Sequence, residues 1–207
     1  MCVGASIITN FGCDTNCSYC IWNKHPLKSV YTTQQNTDWD ALKTFVSGYR
    51  KISISGGGDP FYNYKTNKPW YDSLFDNYSG LVDVHTSKIL PNNILKRFNK
   101  IVLHCSYNRF ISELSNIQNI NNPLRLVFVI TPYLTKNQIY DIIEKGRGIN
   151  CQISFRELYS TQDNLDDIHY YIKGFETDSQ IKLVKQADYN KYFMPDNIVW
   201  DRFMEKK

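Results

Sequence analysis

The sequence is sparing with residues that keep a chain from packing. Its 10 glycines and 7 prolines in 207 positions are too few for a collagen-like or disordered protein. No apolar run approaches the roughly 18 residues of a membrane-spanning helix, so no membrane partner is expected. Neither sign of charge dominates: 24 Lys and Arg against 20 Asp and Glu leave +4, scattered without a basic stripe, and a nucleic-acid partner is not expected. The opening MCVGASIITNFGC lacks a positive n-region, and its apolar stretch before Asn10 is short for a secretory leader. Cys2 stands where N-myristoylation needs glycine, so the expected compartment is the cytoplasm. What is present, 42% hydrophobic and 14% aromatic residues, can fill a core. At about 150 residues per domain, the length fits a core over residues 1–160 with a C-terminal helix and tail, 161–207, packed on it.

Short apolar segments alternate with helical patterns. Strands are predicted over 3–9, 51–55, 81–86, 101–105, 124–130 and 152–155. LRLVFVI at 124–130 is almost continuously apolar, as in a parallel strand covered on both faces. Between the strands, Trp39, Leu42, Phe45 and Val46 share a helical face behind Asp38 as N-cap. Thr135 and Gln138 form a capping box before a helix that Gly146 closes. Further helices are predicted over 71–77, 91–98, 110–117 and 164–173, and residues 174–207 carry no readable pattern. The βαβα order implies parallel strands with right-handed crossovers, in an open sheet or a full or partial barrel.

Three of the six cysteines, Cys13, Cys17 and Cys20, crowd into the C-x3-C-x2-C run GCDTNCSYC after the first predicted strand. Such clustering favours a metal over disulfides. Three thiolates can hold three irons of a cubane, leaving the fourth iron open to another ligand. The competing reading is a zinc module completed by Cys2 or His25, although no second ligand doublet is present. Cys2, Cys105 and Cys151 are spread too widely for a second cluster and read as small buried hydrophobes.

GCDTNCSYC, with Tyr19 just before its last cysteine, resembles the cluster loop of the radical S-adenosylmethionine (SAM) superfamily. Ser55-Gly56-Gly57-Gly58-Asp59-Pro60, after the second strand, resembles that family's Gly-Gly-Glu-Pro segment. The resemblance implies a partial (β/α)6 parallel barrel, a 4Fe-4S cluster on Cys13, Cys17 and Cys20, and SAM on the fourth iron. It places Tyr19 near the adenine and the Gly57 and Gly58 backbone at the SAM amino group. Asp59 stands where the family carries Glu, one methylene shorter. A flavodoxin- or ferredoxin-like protein would supply the electron, and a 5'-deoxyadenosyl radical would take hydrogen from the substrate.

Active groups of parallel α/β barrels gather at the C-terminal strand ends. Those ends carry His85, Thr86 and Ser87, then Ser106 and Asn108, Thr131, and Arg156 with Glu157. Arg156 suits the SAM carboxylate, and Ser106 and Asn108 are candidates for its ribose hydroxyls. For Ser, Thr and Asn the plain alternative is a turn or cap. The expected substrate is a small molecule, nucleoside- or deazaguanine-like, although the Gly-Glu-Gly segment of carboxy-deazaguanine synthases is lacking. A second reading is an activase that installs a glycyl radical on a partner enzyme. A third is a non-catalytic zinc module, and peptide modification is a further substrate class.

Overall fold

The computed structural model describes residues 4–15, 17–20, 37–55, 57–157, 166–184 and 190–200. Cys2, Val3, His25, Gly56 and the first two residues of the helix predicted from 164 lie outside the described residues. In chain order the strands are β1 (Gly4–Ile7), β2 (Lys51–Ile54), β3 (Leu81–Thr86), β4 (Lys100–His104), β5 (Leu124–Val129), β6 (Gln152–Arg156), β7 (Ile181–Val184), β8 (Asn190–Phe193) and β9 (Val199–Trp200). The helices are α1 (Trp39–Val46), α2 (Tyr64–Asn77), α3 (Asn92–Leu95), α4 (Tyr107–Ser112), α5 (Leu114–Gln118), α6 (Lys136–Ile149) and α7 (Asp166–Lys173). They divide between two compact units, residues 1–88 with 188–207 and residues 89–187.

In the first unit the strand order is β3-β2-β1-β8-β9. Every pair is parallel except the β8–β9 hairpin. β1 lies between two neighbours and is buried through Ala5, Ser6 and Ile7. Its one polar side chain, Ser6, is satisfied there by Ser53 Oγ at 2.8 Å and by the Asn190 amide at 3.1 Å. A buried hydroxyl without such partners would cost about 1–3 kcal/mol. Asp38 caps α1, accepting from the Asp40 and Ala41 amides. Leu42 and Val46 are buried on the inward face of that helix, with Trp39 and Phe45 half-buried beside them. α2 starts seven residues earlier than its apolar pattern predicts and carries Pro69 within it. Burial of Asn67, Trp70, Tyr71 and Leu74 outweighs the missing proline N–H.

In the second unit β4, β5, β6 and β7 pair in sequence, all parallel. Leu126, Phe128, Ile153 and Phe155 are at most 1% exposed, and Phe110 of α4 meets Phe128 edge-on at 5.5 Å. The Thr135–Gln138 capping box forms as predicted. The end of α6 is not where the sequence places it. The helix runs through Gly146 to Ile149 and stops at Asn150 in the left-handed conformation. Gly146 serves packing instead, because a Cβ there would lie 2.5 Å from Ile153 Cδ1. The helix predicted over 110–117 is two short ones, since the backbone leaves helical geometry at Glu113. The patternless segment 174–207 supplies β7, β8 and β9.

Candidate functional site

The site is built where the chain leaves β1 and β2. Residues 8–11 are buried, and residues 12–15 and 17–20 lie outside any helix or strand. The glycine segment after β2 is laced to it: the Gly58 amide donates to Asn10 O at 3.0 Å and the Asp59 amide to Gly12 O at 2.9 Å. The Asn10 side-chain amide returns a bond to Asp59 O at 3.2 Å. This lacing explains the glycines. A Cβ on Gly58 would lie 2.0 Å from Gly12 O. Gly57 takes φ +62°, and a Cβ there would lie 2.7 Å from Asn10 O. The close approach that glycine permits is therefore to the cysteine-bearing loop itself.

Cys13 is exposed, and Cys17 and Cys20 are half-buried. The Cys20 amide donates to Cys17 O at 3.0 Å, closing a turn between them. Cys20 packs against a buried apolar group of Ile8, Phe11, Tyr192, Met194 and Trp200, two of them from β8 and β9. Cys13 Sγ lies 2.8 Å from Thr15 Oγ1, which lies 3.3 Å from Ser87 Oγ. Asp14 forms an ion pair with Lys88, whose ammonium also sits 5.5 Å from the centre of the Tyr62 ring. Tyr19 is half-buried on the same loop. Among the described residues no three His, Cys, Asp or Glu side chains stand in metal-holding geometry. The donor set, three cysteines within eight residues, is nevertheless the kind that iron–sulfur clusters take.

Asp59 is 3% exposed and its carboxylate is occupied by the protein. Oδ1 accepts from the Phe61 amide at 2.8 Å and from Thr86 Oγ1 at 2.9 Å. Oδ2 accepts from the Ser87 amide and from Ser87 Oγ, both at 2.6 Å, and from Thr86 Oγ1 at 3.0 Å. The shorter acid thus ties the glycine segment to the end of β3. Thr86 and Ser87 appear in the sequence as strand-end polar residues, but nothing marks them as partners of Asp59. Asn10 and Thr15 carry no sequence signal at all. Asn10 is 1% exposed, and its Oδ1 has no hydrogen-bond partner among the described residues. His85, at the same strand end, is half-buried.

The other three expected residues lie in the second unit. Ser106 is the N-cap of α4, accepting from the Arg109 amide at 3.4 Å, and Asn108 is exposed in the first turn. Arg156 ends β6, with its Nε buried and unpartnered among the described residues. Burial pushes the Cys105 thiol up to about 12 and the Cys151 thiol up to about 11. Both stay protonated and unreactive at neutral pH, as small hydrophobes.

No family model matches the chain, and no curated protein matches it. Solved structures do. SuiB of Streptococcus suis bound to S-adenosylmethionine superimposes with a TM-score of 0.67 at 9% identity, over 99% of this chain and 62% of SuiB. SuiB bound to its precursor peptide SuiA gives a TM-score of 0.66 at 10% identity, over 96% and 59%. The chain thus spans less than two thirds of the length of SuiB. At such identity the likeness is one of fold, and that fold is the parallel α/β class expected from the strand order. The chain therefore has the fold of a radical SAM enzyme, the superfamily that its cysteine loop and glycine segment resemble.

Proposed function

We propose that the chain is a radical SAM enzyme in which Cys13, Cys17 and Cys20 hold a 4Fe-4S cluster. The observation that carries this reading is the backbone lacing of the cysteine loop to the glycine segment, Gly58 to Asn10 and Asp59 to Gly12. It brings the two resembling motifs, 35 or more residues apart in sequence, into direct contact. When bound and given one electron by a flavodoxin- or ferredoxin-like donor, the cluster supplies reductive cleavage of SAM to a 5'-deoxyadenosyl radical that takes hydrogen from the substrate.

The chain's own residues bind, orient and exclude water. The Gly58 amide is committed to Asn10, which leaves the Gly57 and Gly58 carbonyls to accept from the SAM amino group. The apolar wall of Ile8, Phe11, Tyr192, Met194 and Trp200 keeps water from one side of Cys20. Tyr19 serves the adenine. Arg156, whose buried Nε has no partner among the described residues, serves the carboxylate. Ser106 and Asn108 serve the ribose, although the Ser106 oxygen already caps α4.

The substrate class has two readings. A small molecule is the expectation from sequence. A peptide is the reading with a specific observation behind it, since the same fold in SuiB is seen bound to a precursor peptide. Anaerobic purification and reconstitution test the cluster. The reading predicts a brown protein with about four irons and matching sulfide per chain, and no such loading when Cys13, Cys17 and Cys20 are all alanine. A colourless protein carrying one zinc is the result expected of a zinc module and would reject it.

A further inference from the structure

Asp59, Ser87 and Thr15 form a chain of hydrogen-bond contacts that ends on the sulfur of Cys13. Ser87 is held twice by Asp59 Oδ2, through its amide and its hydroxyl, both at 2.6 Å. Its hydroxyl proton is therefore directed at the carboxylate, and its oxygen presents a lone pair to Thr15, 3.3 Å away. Thr15 in turn lies 2.8 Å from Cys13 Sγ. The Asp59–Ser87 and Ser87–Thr15 links join residues 28 and 72 positions apart in sequence, so the anchor of Thr15 is tertiary, while the last link, to Cys13, is local. Asp59 itself is fixed by Thr86 and by the Phe61 amide and is almost fully buried, which makes it a firm anchor.

We infer that Thr15, anchored by Ser87 and Asp59 in the iron-free chain, is a positioning residue for Cys13 whose one hydroxyl proton turns from Ser87 to the sulfur once that sulfur is a metal ligand. The inference rests on the proposed cluster. A ligating thiolate carries no proton, so the contact at Cys13 Sγ then requires the Thr15 hydroxyl as donor. Hydrogen bonds to ligand sulfurs stabilise the more negative, reduced cluster and so raise its reduction potential. In the iron-free chain, where the Thr15 proton goes to Ser87, the Asp at the position of the family's Glu anchors the loop through Ser87 and Thr15.

The test compares the wild-type chain with Thr15→Val, Thr15→Ser and Ser87→Ala after anaerobic reconstitution. Thr15→Val keeps the shape and removes the hydroxyl, and Thr15→Ser keeps the hydroxyl. The inference predicts wild-type iron content in Thr15→Val with a more negative midpoint potential, and a return to the wild-type potential in Thr15→Ser. Equal potentials in all three at equal iron content would overturn it. Amide hydrogen exchange of the iron-free proteins gives a reading that needs no cluster. Residues 13–20 are predicted to exchange faster in Thr15→Val and Ser87→Ala than in wild type or Thr15→Ser, and unchanged rates would overturn the anchoring. A wild-type chain that takes up no iron rejects the proposed function, and exchange alone then decides whether Asp59, Ser87 and Thr15 hold the loop.

Discussion

At the scale of single residues, the site depends on what is missing from Gly57 and Gly58. Their backbone lies so close to the cysteine loop that any side chain on Gly58 meets the Gly12 carbonyl, which is itself held by the Asp59 amide. Gly58→Ala is predicted to cost at least the roughly 1–3 kcal/mol of an overpacked core and to lower cluster loading with it. Gly48→Ala, where nothing lies within 4 Å of the new Cβ, changes stability by less than about 1 kcal/mol. Urea denaturation of the two variants beside iron analysis checks both. Equal stability for the two would mean that the lacing is not as close as described. The glycines themselves are legible in the sequence as a motif, but the reason for them is not. That reason is the path of a second loop 45 residues away, which no local pattern encodes.

At the scale of elements, legibility follows length and burial. β1 to β6 are found from the sequence to within two residues at their ends, because the predicted segments concentrate β-branched and other apolar residues between breakers. β7, β8 and β9 fall in the segment without a readable pattern, and their strand character comes from the neighbours they pair with. Helix ends depart from the sequence pattern where tertiary contact decides them. α2 is extended backward by buried Trp70 and Tyr71, and α6 passes a glycine that the sequence reads as a stop. The capping box of α6, by contrast, is purely local and is legible in the sequence. Thr135→Ala removes the acceptor for the Gln138 amide and is predicted to destabilise the chain by about 1 kcal/mol. The measurement is again the denaturation midpoint, and no change would show that the cap is dispensable.

At the scale of the whole molecule, two independent lines meet. Two motifs of about 15 residues in all resemble those of one superfamily, and the fold of nearly the entire chain matches SuiB at an identity too low for sequence comparison to register. Fold is carried by the spacing and burial of strands, which many residue choices satisfy, whereas the cysteines and glycines answer to a few specific contacts. Neither line names the substrate. Among the described residues no helix is long and apolar enough to cross a membrane. The central claim is that three cysteines on this fold support cleavage of SAM. The most direct measurement is anaerobic incubation of the reconstituted chain with dithionite and SAM, scoring 5'-deoxyadenosine. Formation of 5'-deoxyadenosine by the wild-type chain, and none by the variant with alanine at 13, 17 and 20, is the predicted result. A fully iron-loaded chain that forms none, or a triple variant that forms as much as wild type, would contradict it.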